Sequence, residues 1–134
     1  LMGAFHFVRD ILYHNKSAKA KNEAAIANGE EPTEVLMKPI VGCEFFVCED
    51  HKNKSVKDNG FQIVLLAKTK KGYHNLAKMS SIAYTEGFYY VPRIDKKVIQ
   101  QYKEDLIVLS GNLYGEIPST IFFFSEILPT LLHP

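Results

Sequence analysis

Apolar residues at the start of the chain, Leu1, Met2, Phe5, Val8, Leu12 and Tyr13, recur at helical spacing and predict a helix over about residues 2–14, with Arg9 and Asp10 on its other side. Such a stripe needs a surface to cover. The next stretch, Lys16 to Ala27, loses the stripe and is rich in alanine and charge, and it stops at Asn28-Gly29 before the loop residues Glu30-Glu31-Pro32. It predicts an exposed helical excursion. KPIVGCEFFV at 38–47 is a β-type run in which Gly42 permits close approach of backbone or ligand, and Glu44 sets a carboxylate among apolar neighbours. Residues 49–59 are polar and charged apart from Val56 and predict a loop, whereas Phe61 to Ala67 is a near-continuous apolar run of the kind that suits a buried parallel strand.

From Lys70 to Glu86, Tyr73, Leu76, Ala77, Ser80, Ala83 and Tyr84 form one helical face, opposite Lys70, Lys71, His74, Lys78 and Thr85, with Gly87 closing the pattern. Asp95 is placed to cap a short helix through Tyr102, and Leu106 to Ser110 predicts a third buried strand before the Gly111-Asn112 turn. Doubly apolar strands alternating with amphipathic helices imply an α/β architecture with a parallel or mostly parallel sheet. With so few strands and an apolar helix at its very start, the sequence reads as a piece of a larger sheet or barrel. Leu1 stands where a complete chain would carry Met, which fits a start in mid-protein.

Composition narrows the function classes. At 134 residues and 46% hydrophobic content the chain can form a core. Sixteen basic against fifteen acidic side chains leave a net charge of +1, so no global field draws it to nucleic acid or anionic lipid. Two cysteines make no disulfide framework and no secretory leader pattern opens the chain, which predicts a cytoplasmic protein.

Cys43 and Cys48, five positions apart on a strand, point to opposite faces and do not share a metal. The histidines His6, His14, His51, His74 and His133 form no metal-type pair and read as surface or interface residues. The lysines at 52, 54, 57, 68, 70 and 71 read as a solvated loop and a helix start, diluted by Glu49, Asp50 and Asp58. Arg93, beyond the aromatic cluster Tyr84, Phe88, Tyr89 and Tyr90, is a candidate anion clamp at a site rim, with packing as the competing role. Glu44, Gln62 and Asn112 remain. The carboxyl ends of neighbouring parallel strands would bring the first and third to one rim, where α/β sheets and barrels place their sites. One carboxylate and two neutral amides do not hold a divalent metal tightly.

KPIVGCEFFV (38–47), IVLLAKTKKGYHNLAKMSSIAYTEGFYYVPRID (63–95) and LIVLSGNLYGEIP (106–118) together resemble the N-terminal PHP (polymerase and histidinol phosphatase) domain of the bacterial DNA polymerase III alpha subunit. The likeness covers nearly all of residues 1–118, and MGAFHFV at 2–8 is similar to the helix after that domain's Thr-Asp-His-Gly-Asn turn. The resemblance implies a partial, distorted (β/α)7 PHP-type barrel truncated at both ends, with an exposed insertion at 14–38 and a divergent apolar tail at 119–134. It also implies a metal-ligand set in which Glu44 matches a glutamate, Gln62 stands where a histidine would be and Asn112 stands where a cysteine would be. The family's early H-x-H and late Asp-x-His have no counterpart in this sequence.

In function, the resemblance implies a non-catalytic scaffold within a replicative DNA-directed DNA polymerase, with a degenerate metal site, no catalytic residues of its own and no cofactor. The alternative is a metal-dependent phosphoesterase or 3′ to 5′ exonuclease. The parent polymerase would use Mg, and active PHP relatives Zn or Mn. The implied partners are the rest of the polymerase alpha chain, the proofreading exonuclease and sliding clamp subunits, and DNA through the parent, with no membrane.

Overall fold

The computed structural model describes residues 1–121. The FFF run at 122–124 and Pro129, both in the expected apolar tail, lie outside the described residues. The chain divides into two compact units, Leu1–Val41 and a second that begins at Gly42. No helix among the described residues is long and apolar enough to cross a membrane.

In the first unit, the expected helix and excursion form one continuous helix, α1 (Ala4–Ala27), of 24 residues. Its less exposed positions are Ala4, Val8, Ile11, Asn15, Ala18, Asn22 and Ala25, a row with 3-4 spacing. The apolar stripe expected to be covered is offset from this row, and Phe5 and Leu12 are 68% and 59% exposed. Two asparagines explain why the helix continues through a polar stretch. Asn15 donates from Nδ2 to the Met37 carbonyl at 2.7 Å and accepts the Met37 N–H at 2.8 Å. Asn22 does the same with Glu34, at 2.8 and 2.9 Å. Each amide thus acts as a backbone mimic and straps the returning segment to the helix. The helix stops where expected, with Asn28 at the C-cap and Gly29 in the left-handed region at φ +76°.

The second unit holds β1 (Gly42–Cys48), β2 (Phe61–Ala67), α2 (Lys70–Thr85), β3 (Arg93–Asp95), α3 (Lys96–Tyr102) and β4 (Leu106–Leu109), and residues 116–121 are helical. The strands form one mixed sheet in the order β3-β1-β2-β4. The sheet is therefore mixed, not parallel or mostly parallel as expected. β2 pairs antiparallel with both β1 and β4, and only β1 and β3 run parallel. The physical reason is the connection: β1 and β2 are joined by a polar loop rather than by the helical crossover that a parallel pair requires.

One sheet face carries Phe45, Val47, Leu65 and Ile94, all buried, together with the buried α2 residues Leu76, Met79 and Ala83. Leu65, Leu76, Met79 and Ile94 are fully buried, each contributing about 1.5–3 kcal/mol relative to exposure. The buried stripe of α2 is rotated from expectation. Asn75 and Met79 turn inward, with Asn75 Nδ2 donating to the Glu104 carbonyl at 3.1 Å, while Tyr84 is exposed. Thr69 caps α2, accepting the Gly72 N–H, and Asp95 caps α3 as expected, accepting the Val98 N–H at 2.9 Å.

Candidate functional site

The opposite sheet face carries Glu44 and Gln62. Glu44 lies opposite Val64 and Gln62 opposite Phe46, so Glu44 and Gln62 share this face as diagonal neighbours, with Cα atoms about 7–8 Å apart in such a register. Because β1 and β4 are each antiparallel to the strand between them, their carboxyl ends meet the start of β2 at one edge. That is how Gln62, near its strand's beginning, comes to lie beside the turn carrying Asn112. The Gln62 N–H donates to the Tyr114 carbonyl at 3.0 Å. Gly111 sits between them at φ +80°, where a Cβ would run into the Gln62 carbonyl. At Gly42 the close approach is made by β2 itself, since a Cβ there would meet the Leu65 carbonyl and the Leu66 side chain.

The donor set at this edge does not fit a divalent metal. Glu44 is exposed and supplies the only charge among the three positions. The Asn112 Oδ1 is already committed, accepting the Tyr114 N–H at 2.8 Å in a local turn. The Gln62 Oε1 is buried without a hydrogen-bond partner, but a neutral amide oxygen is a weak ligand beside imidazole or thiolate.

Arg93 is not at a rim. It is fully buried. Its Nε donates to the Gly87 carbonyl, Nη1 to Asp58, and Nη2 to His51 and Asn53, at 2.8–3.3 Å, and it lies over the Tyr89 ring at 5.4 Å. The guanidinium is spent on organising the loop between β1 and β2, so packing replaces the anion clamp. The two thiols lie on opposite faces of β1, and burial pushes both of them up. Lys52 pairs with Glu86 at 3.1 Å and Lys57 lies 4.8 Å from the Tyr90 ring centroid, so the lysines are dispersed among local partners.

One cluster escaped the sequence reading. His51, expected at a surface or interface, is 6% exposed. Its Nδ1–H donates to Asp95 Oδ2 at 2.6 Å, and Asp50, His51 and Asp95 each bring a ligand atom within 4.8 Å of the others. Burial pushes the Asp95 carboxyl up, but the His51 bond, the Val98 N–H and the His51 charge together hold it below its ordinary value. No local pattern marks this pair, whose members are 44 positions apart. The usable signal was Asp95 itself, a cap residue with a second oxygen to spare.

The PHP domain profile matches residues 6–129. The chain is 42% identical to the DNA polymerase III subunit alpha of Chlamydia muridarum over 96 residues, which is 69% of this chain and 8% of that protein. It is 41% identical over 101 residues to the protein of the same name from Borreliella burgdorferi, covering 72% of this chain and 9% of the relative. The Thermus aquaticus protein of that name is 42% identical over 97 residues, covering 69% and 8%. The chain thus spans less than a tenth of the length of these relatives.

Proposed function

This chain belongs to the PHP domain family, and from there we propose that it serves DNA replication as a non-catalytic scaffold within a DNA polymerase III alpha-type chain. Its four strands are then part of a distorted (β/α)7 barrel. Its partners are the remainder of the polymerase chain, the proofreading exonuclease and the sliding clamp, with DNA engaged through the parent.

The observation that carries the scaffold role is the chemistry of the Glu44, Gln62 and Asn112 positions. Of the three ligand positions there, one is an exposed carboxylate and two are neutral amides, and one of these amides is already engaged by its own turn. Metal-assisted hydrolysis depends on a cation held firmly enough to activate water and to stabilise charge on phosphorus. This donor set cannot supply that hold.

Calorimetric titration of the chain with Zn2+ and Mn2+, beside Glu44→Ala, tests it. The expected result is no ion uptake that depends on Glu44. A stoichiometric isotherm abolished by Glu44→Ala would replace the scaffold with the metal-dependent phosphoesterase or exonuclease.

A further inference from the structure

A second cation site is built elsewhere in the same unit. His51 is held in one orientation because Nδ1–H donates to the Asp95 carboxylate, which leaves Nε2 as the free nitrogen. That Nε2 is buried and has no hydrogen-bond partner, and the His51 side chain is only 8% exposed. The atom facing it is Glu86 Oε2, 4.0 Å away. Two tetrahedral ligands of one ion, each at about 2.0–2.2 Å, stand about 3.3–3.6 Å apart, so a shift of about half an ångström by the half-exposed Glu86 side chain brings both onto one ion. The Asp50 carboxylate brings an oxygen within 4.8 Å of ligand atoms of His51 and Asp95.

We propose that His51 Nε2, Glu86 and Asp50 form a binding site for a divalent transition cation of the zinc class, with Asp95 orienting the imidazole. Imidazole combined with carboxylate suits that class, and the remaining coordination positions fall to water. The arrangement in which a metal-binding histidine donates its other N–H to a carboxylate is the usual device for fixing ring orientation and raising ligand basicity. Three carboxylates converge on one imidazole here, and the cation that now offsets them is the Lys52 ammonium, 3.1 Å from Glu86 Oε2. Lys52 is exposed on a polar loop and free to withdraw when an ion enters. The site shares no residue with the Glu44, Gln62 and Asn112 edge, so the two stand or fall separately.

Zn2+ titration of the 134-residue chain by calorimetry, repeated with Co2+ by absorption spectroscopy, tests the assignment. One ion per chain is expected. Glu86→Gln, at a side chain 48% exposed and so compatible with folding, should weaken binding about tenfold or more. His51→Gln should abolish the Co2+ bands that report nitrogen ligation, Lys52→Ala should tighten binding, and Glu44→Ala should leave it unchanged. Absence of uptake overturns the site, as does uptake indifferent to both Glu86→Gln and His51→Gln. Uptake lost in Glu44→Ala but retained in Glu86→Gln overturns it too, and in addition moves the metal to the family's position.

Discussion

Glu44 and Gln62 stand on the same face of adjacent antiparallel strands, one diagonal apart, with Gln62 hydrogen-bonded through its backbone to the turn that carries Asn112. One carboxylate and two neutral amides thus stand near one edge of the sheet. Two other side chains, Arg93 and Asp95, organise the loop between β1 and β2 and the start of α3.

Arg93 serves four carbonyls in different directions from a fully buried position. Lysine is a point charge with three donors on a flexible stem and cannot reproduce that fork. Arg93→Lys should therefore cost at least about 3 kcal/mol and lower Tm by more than about 10 °C. Thermal unfolding followed by circular dichroism checks this, and a melt unchanged within a degree or two would reassign Arg93 to some other role.

Acid stability should depend on Asp95. A carboxyl whose folded pKa is depressed adds stability above its unfolded pKa, about 3.9, and loses it as pH falls through the folded value. The chain should thus weaken on acidification below about pH 4. Asp95→Asn, which can still cap α3, should be less stable by about 1.5–3 kcal/mol at pH 7 and show a flatter acid limb. Denaturant melts between neutral and acid pH decide it. Parallel pH profiles for the two proteins would remove Asp95 from the acid transition.

The straps on α1 make a local prediction. Met37 and Glu34 each donate their N–H to an asparagine side chain, so Asn15→Ala should speed amide exchange at Met37 and Asn22→Ala at Glu34, each by about five- to tenfold. Exchange measured residue by residue should show the two effects independently. Equal acceleration at both amides in either variant would mean that the segment opens as one piece.

Much of this fold was legible because the pattern was local. Phe61 to Ala67, the Asn28-Gly29 stop and the Asp95 cap are each set by a few adjacent residues, and they stand where expected. Strand direction and burial were both misread because an apolar run reports strand type alone, and Ile107, Val108 and Leu109 of the expected third buried strand are exposed. The polar stretch at 49–59, already legible as a loop, carried the better signal, since it contains no crossover helix. β3 escaped because Arg93–Asp95 is too short to show alternation. The straps at Asn15 and Asn22 carry no local signal because their partners lie 22 and 12 positions away. Burial of His51 depends on Asp95 and on the loop held by Arg93, neither of which is visible in its neighbours. At the sheet edge, residue types alone gave a donor set of one carboxylate and two neutral amides, whereas the antiparallel pairing that brings Gln62 to the Asn112 turn required the structure.

The most direct measurement is hydrolysis of a 3′-labelled single-stranded oligonucleotide and of bis-p-nitrophenyl phosphate by the chain with Mn2+ or Zn2+, with Glu44→Ala alongside. The expected result is product release equal to the metal-only blank and identical in the two proteins. Metal-dependent turnover by the chain that disappears in Glu44→Ala would contradict the scaffold role and make this PHP domain a working phosphoesterase.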